Sequence, residues 1–216
     1  MDKGKTNTKS RILEVSLNLF SQRGYSSVSI RDICGEVGIK ESSIYSHFKN
    51  KREIFEILCE MFTDTTYRIS LKFTANMSEK TKFSDEEFLS ACQRYLNDYL
   101  IDDKINKFIR MLIIEQSTNP QAAALYHMVL FDKALAGQQA IFQWLVKIGY
   151  LIDSDVESMV IEYYAPIVYF FHRYLVAETI TEEIREEVNR KVIKHAKFFL
   201  AEYKRKIPDV GEEKNE

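Results

Sequence analysis

The feature that most constrains this chain is its shortage of turn formers: 216 residues include only seven glycines and three prolines. An all-β protein needs a tight turn roughly every 8–12 residues, and such turns draw heavily on Gly and Pro for backbone angles. The chain therefore reads as all-α, with long helices and few breaks. At 45% hydrophobic and 29% charged residues it has a normal globular balance, with length for one large domain or a small and a larger one. Cys34, Cys59 and Cys92 are odd in number and lack CxxC spacing, so neither a disulfide framework nor a zinc site is indicated, and a reducing compartment fits. Met1 to Lys9 is polar, and no run of roughly 18 apolar residues occurs, which predicts a soluble, cytoplasmic protein without a membrane partner.

The formal net charge of −2 hides an uneven distribution. Residues 1–52 carry 10 Lys/Arg against 5 Asp/Glu, whereas residues 53–216 carry 20 against 27. Such asymmetry points to a small basic module that meets a polyanion, attached to an acidic body with another task. The aromatic residues divide similarly: only Phe20, Tyr25, Tyr45 and Phe48 fall within the first 50 positions. The expected domains are 1–52 and 53–216.

Along the chain, Ile12, Leu13, Leu17 and Phe20 repeat at helical spacing and Gly24 follows, predicting a helix over 8–23. Ser29 with Asp32 resembles a capping box opening a short helix that ends at Gly38. The next run, Glu41 to His47, has one strongly apolar position, Ile44, backed by Phe48, so it buries one edge only. Asn50 with Glu53 caps a helix running towards Leu71. Further helices are expected from Ser84 to Leu100, 103–117, 121–148, from a Ser154/Glu157 cap to Ala177, and from Thr181 to Lys204, before Pro208 and a polar tail.

Two short helices across Gly38 with a third packed on both form the plan of a helix-turn-helix. The second exposes Lys40, Ser42, Ser43, Tyr45, Ser46 and His47, followed by Lys49 and Lys51, all able to hydrogen-bond phosphates or base edges. Taken singly, these are also ordinary polar surface residues of a three-helix domain. The basic balance of the segment and the spacing around Gly38 favour the nucleic-acid reading.

The segment from Gly24 to Lys51, and above all Ile44-Tyr45-Ser46-His47-Phe48-Lys49-Asn50-Lys51, resembles the DNA-binding domain of the TetR family of bacterial transcriptional regulators, over about a quarter of the chain. The resemblance implies an N-terminal helix-turn-helix on a larger helical-bundle domain that dimerises and binds a small molecule. It also implies that Ser29 caps the first motif helix near a phosphate, and that Lys40, Ser42 and Ser43 open the recognition helix towards the major groove. Tyr45 and His47 would contact the backbone, with Lys51 meeting a phosphate at the next helix N-terminus. Where the family commonly has Ser before Lys, this chain has Lys40 and Glu41. Glu41 is either a base reader, since a carboxylate accepts from cytosine N4, or turned outward.

In the last predicted helix Ile184, Val188, Val192, Ala196, Phe199, Leu200 and Tyr203 form one apolar stripe. It reads as intramolecular core or, by the resemblance, as part of a homodimer interface made by the last two helices, whose two-fold symmetry suits a palindromic double-stranded DNA operator. The middle of the body is rich in large adaptable side chains, among them Phe108, Met111, Tyr126, Phe131, Trp144, Tyr163 and Phe170. Each alone reads as core; together they suit an apolar pocket for a hydrophobic or aromatic ligand, which a kink at Pro166 would help to open. Glu115, His127 and His172 are polar groups available to orient a ligand, although Glu115 equally reads as surface and His172 as a core histidine. No HExxH, GxSxG or Gly-rich phosphate loop occurs, so no catalytic residue, metal site or cofactor is expected. The expected function is a ligand-responsive repressor, the alternatives being an activator of the same fold or a helical protein that sequesters a small molecule.

Overall fold

The computed structural model describes residues 3–75, 81–176 and 179–206. Ten α-helices occur among them, with no strand beyond an isolated bridge between Leu151 and Lys204. The helices are α1 (Lys3–Arg23), α2 (Ile30–Val37), α3 (Glu41–Ile44), α4 (Lys51–Ala75), α5 (Asp85–Tyr95), α6 (Asp103–Glu115), α7 (Pro120–His127), α8 (Lys133–Lys147), α9 (Val156–Phe170) and α10 (Glu182–Tyr203). The all-α expectation holds.

Local chemistry explains most of the boundaries. Ser29 and Asp32 form a reciprocal capping box at α2, and Gly38 ends that helix in the left-handed region at φ 77°. Ser84 and Glu87 do the same for α5. The predicted box at α4 is half right: Asn50 Oδ1 accepts from Glu53 N at 2.9 Å, but the Glu53 carboxylate reaches back to the amide of Lys49. At α9 the cap is Asp155, not Ser154; its carboxylate accepts from Glu157 N at 3.2 Å and from Ser158 Oγ at 2.5 Å. A carboxylate outcompetes a neighbouring hydroxyl for amides at a helix start because its charge meets the positive end of the dipole.

Other boundaries move for reasons the periodicity does not carry. α1 begins at Lys3 rather than 8, and α3 stops at Ile44 rather than His47. Lys40 makes no side-chain cap there, and Ser46 Oγ turns back onto Ser43 O at 2.8 Å, a local bond that competes with helix continuation. The helix expected over 121–148 is divided by a π-turn at 128–132; two more π-turns, at 96–100 and 171–175, follow α5 and α9. α9 runs through Pro166 to Phe170 before leaving α geometry. The expected helix end at Ala177 and the stop at Pro208 lie outside the described residues.

Two packed regions share one continuous core. In the first, Ile12, Phe20, Val28, Ile33, Val37, Ile44, Phe48, Ile54 and Phe55 are buried among α1 to α4. In the second, α10 packs on α5 and α9, and α8 packs on α9. The stripe predicted in α10 faces inward: Val188, Val192, Ala196, Phe199 and Leu200 are buried within the subunit, Phe199 stacking on Phe88 with ring centres 6.2 Å apart. The stripe is thus core, and any surface for a second copy must come from other positions. α1 lies along α6, which joins the two regions, and α4 runs unbroken across residue 52.

Candidate nucleic-acid interface and ligand cavity

Ile44 and Phe48, both fully buried, anchor α3, which packs on α2, and the turn after it in the core. This leaves Lys40, Glu41, Ser42, Ser43, Tyr45, Ser46 and Lys49 exposed, with Tyr45 56% accessible, while His47 is half-buried. Glu41 sits in the first turn of α3, where a carboxylate is favoured by the dipole. A short, polar ridge standing on two apolar feet is the shape that enters a groove.

Two predicted residues are engaged within the fold. Ser29 Oγ accepts from Asp32 N at 3.1 Å and donates to Asp32 Oδ2 at 2.5 Å, and these bonds from Ser29 hold the Asp32 carboxyl below the usual carboxylate range. Lys51 Nζ donates to Tyr25 O at 2.8 Å and Val28 O at 2.7 Å and lies 4.3 Å from the Tyr25 ring centre. Partial burial lowers its pKa. The ammonium therefore closes the loop between α1 and α2 in addition to carrying charge at the start of α4.

That loop is also held from the body. Glu115, at the end of α6, is 3% exposed and accepts from Ser26 N at 3.0 Å and Ser26 Oγ at 2.8 Å. Arg110, one turn or so earlier on the same buried face, donates to Ser21 O at 3.1 Å. Glu115 is neither a surface residue nor a ligand-orienting group; it links the helix-turn-helix to α6. Sequence offers no signal for this, because its partner is 89 residues away.

The body contains a largely apolar cavity of about 560 Å³ between α5 and α8, flanked by the π-turns at 96–100 and 128–132 and floored by Tyr163 of α9. That volume falls in the range of small-molecule sites, roughly 300–1,000 Å³, and π-turns recur at functional sites. Phe88, Tyr95, Tyr99, Phe142 and Tyr163 supply its aromatic surface. Cys92 Sγ lies 3.0 Å from Tyr163 Oη, and burial pushes its thiol up to about 11, which makes it a packing group and not a nucleophile. A second cleft, of about 670 Å³ and polar, lies between α1 and α6; its Lys107 and Arg185 are paired with Asp103 and Glu182.

Of the seven residues predicted for a ligand, Tyr163 alone lines the apolar cavity. Phe108 stacks on Phe62 at 5.1 Å and Met111 is fully buried where α4 and α6 meet the core. Tyr126 and Phe131 contact each other, and Tyr126 Oη bonds His172 Nε2 at 2.9 Å. Trp144 meets Phe83 edge-on from behind the lining, and Phe170 rests on Tyr169. His127 and His172 are exposed and outside the cavity. The missed residues carry a visible signal: Phe88, Cys92, Tyr95 and Tyr99 recur every three or four positions along α5 and its π-turn, and Gly137 sits between Ala136 and Gln138 inside α8.

Residues 12–58, the segment that holds the exposed ridge and its anchors, match the family of bacterial regulatory proteins called the tetR family. Over these residues the chain is similar to the DNA-binding domain of that family. Over 68 residues it is 37% identical to the HTH-type transcriptional regulator AcrR of Shigella flexneri, a match covering 32% of each chain. Over 113 residues it is 27% identical to the biofilm operon icaADBC HTH-type negative transcriptional regulator IcaR of Staphylococcus aureus (strain Newman), covering 52% of this chain and 55% of IcaR. The chain thus spans a third to about half the length of these curated relatives. Its whole fold is similar to a crystal structure of a putative TetR-family transcriptional regulator from Mesorhizobium loti MAFF303099, with a TM-score of 0.70 and 20% identity over 93% of this chain and 98% of that one. The TetR-type domain and the all-helical body behind it agree with the resemblance read from Gly24 to Lys51. No helix among the described residues is long and apolar enough to cross a membrane.

Proposed function

We propose that this protein is a dimeric TetR-family repressor that binds a palindromic operator through residues 1–52 and is released by a hydrophobic or aromatic ligand held in residues 53–216. One observation carries the reading: α6 is hydrogen-bonded to the helix-turn-helix region through Glu115, which holds the loop after α1, and Arg110, which holds the end of α1, and α6 follows the π-turn that lines the cavity. A ligand that prefers one placement of that turn therefore biases the position of the ridge, and only a few kcal/mol of differential affinity is required. Repression, rather than activation, follows the negative regulation named for the relative IcaR.

Lys40, Ser42, Ser43, Tyr45 and Lys49 are the groups that reach DNA in this reading, with Ser29 and Lys51 holding the backbone around them and Glu41 facing either a base or solvent. For the dimer, Ile161, Ala165 and Tyr169 recur every fourth residue on the exposed side of α9, and Phe198 on α10 is 75% accessible. Those positions, rather than the buried stripe of α10, are the proposed seam. The reading is tested by electrophoretic mobility shift with fragments upstream of the chain's own gene. Specific binding is expected, weakened by Tyr45→Ala and Lys49→Ala and falling steeply with salt because phosphate contacts release counterions. Absence of any specific fragment, or variants indistinguishable from wild type, would sink it. Ligand binding that saturating operator leaves unchanged would instead favour a sequestering protein, since linkage is reciprocal.

A further inference from the structure

The cavity in the body is lopsided in charge. Among the described residues Lys133 is the one charged residue lining it; no aspartate, glutamate, arginine or histidine among them joins it. Lys133 is exposed, which places it at the mouth, and it has no carboxylate partner among the described residues. The remaining polar lining is neutral, supplied by groups such as Thr66, Gln138 and the tyrosine hydroxyls. Tyr99 is 6% exposed, lines the cavity, and its hydroxyl has no hydrogen-bond partner among the described residues. Burial holds its pKa above that of an ordinary tyrosine, so it stays a neutral donor.

Taking this cavity as the ligand site of the regulator, we propose that the effector is an amphipathic anion, with an aromatic or aliphatic body among the cavity's rings and one carboxylate, sulfonate or phenolate beside Lys133. An aromatic enclosure by itself also attracts cations. Here a cation would meet the like charge of Lys133 with no carboxylate among the described lining residues to offset it. An anion placed at the exposed mouth keeps much of its hydration, so its pairing with Lys133 avoids the penalty of a buried ion pair. The preference is correspondingly modest, about 1.5-fold to fivefold at low salt.

Gly137 supplies the control. It lies inside α8, lines the cavity, has no positive φ, and a Cβ placed on it meets nothing within 4 Å. Leucine there fills the space while improving helix propensity, so the variant keeps its fold. The probes are 1-anilinonaphthalene-8-sulfonate and N-phenyl-1-naphthylamine, which share rings and differ by the sulfonate, titrated by fluorescence into the full chain at low and high salt. The sulfonate is expected to bind more tightly at low salt. Lys133→Met should abolish that advantage and leave the neutral probe unchanged, and Gly137→Leu should weaken both by roughly tenfold or more. Equal binding of the two probes to wild type, or a sulfonate preference that survives Lys133→Met, overturns the anionic effector while leaving the cavity as the ligand site. Unchanged binding of both probes in Gly137→Leu overturns the cavity assignment itself.

Discussion

Glu115 shows how much can rest on one side chain. A carboxylate 3% exposed is costly unless its oxygens are occupied, and Ser26 occupies both with an amide and a hydroxyl. The approach is close because Gly24 has no side chain: at φ 81°, a Cβ on it would lie 2.7 Å from Glu115 Oε1 and 2.9 Å from Ile114 Cγ2. Gly24→Ala therefore incurs left-handed backbone strain and pushes the carboxylate off its donors. A loss of about 1–3 kcal/mol in urea unfolding is expected, together with weaker operator binding in a mobility-shift titration. Wild-type stability in that variant would show that the contact is not tight. Gly24 was legible as a helix terminator; its second role depends on what lies opposite, which local pattern does not encode.

At the scale of elements, α5 and α8 form the cavity walls, and each carries a test. Asp85 opens α5 and accepts from Lys204 Nζ at 2.7–2.9 Å and Tyr150 Oη at 3.0 Å, tying the start of α5 to the end of α10. The hydrogen bond from Lys204 is the main reason that its carboxyl is held below the usual range, with Tyr150 adding to it. A carboxylate with a depressed folded-state pKa contributes stability above its unfolded pKa, about 4, and loses it as pH falls through the folded value. The drop in urea midpoint between pH 7 and pH 3 should accordingly be smaller in Asp85→Asn than in wild type, by a modest amount because the pair is half-exposed. In α8, Gly137→Ala should raise stability by about 0.5–1 kcal/mol in the same assay, since the new methyl meets no atom and the helix gains propensity. Destabilisation would mean that the cavity is closed in solution. The stripe of α5 could be read from periodicity; its partner across the cavity could not.

For the whole molecule, the proposed dimer seam lies at the exposed apolar positions on α9 and α10. Phe198→Glu places a charge on the proposed seam of each subunit and should yield a folded monomer by size-exclusion chromatography with light scattering. Because two linked half-site contacts exceed one by the effective concentration of the second, operator affinity should fall by about a hundredfold or more. A dimer that persists would move the seam elsewhere. Half-sites about 34–36 Å apart are the spacing such a dimer would meet.

Sequence alone determined the helical class, the helix-turn-helix with its anchors Ile44 and Phe48, and the opposed charges of the two regions. Each depends on composition or on signals within a few residues: scarce Gly and Pro, caps at Ser29 and Ser84, and Gly38 in the left-handed region. The tertiary structure decided which aromatic residues line the cavity, that Glu115 is buried against Ser26, and that the stripe of α10 faces inward while Phe198 faces out. Helical periodicity states which residues share a face, but what that face meets is set by contacts such as Asp85 with Tyr150 and Lys204, 65 and 119 residues apart.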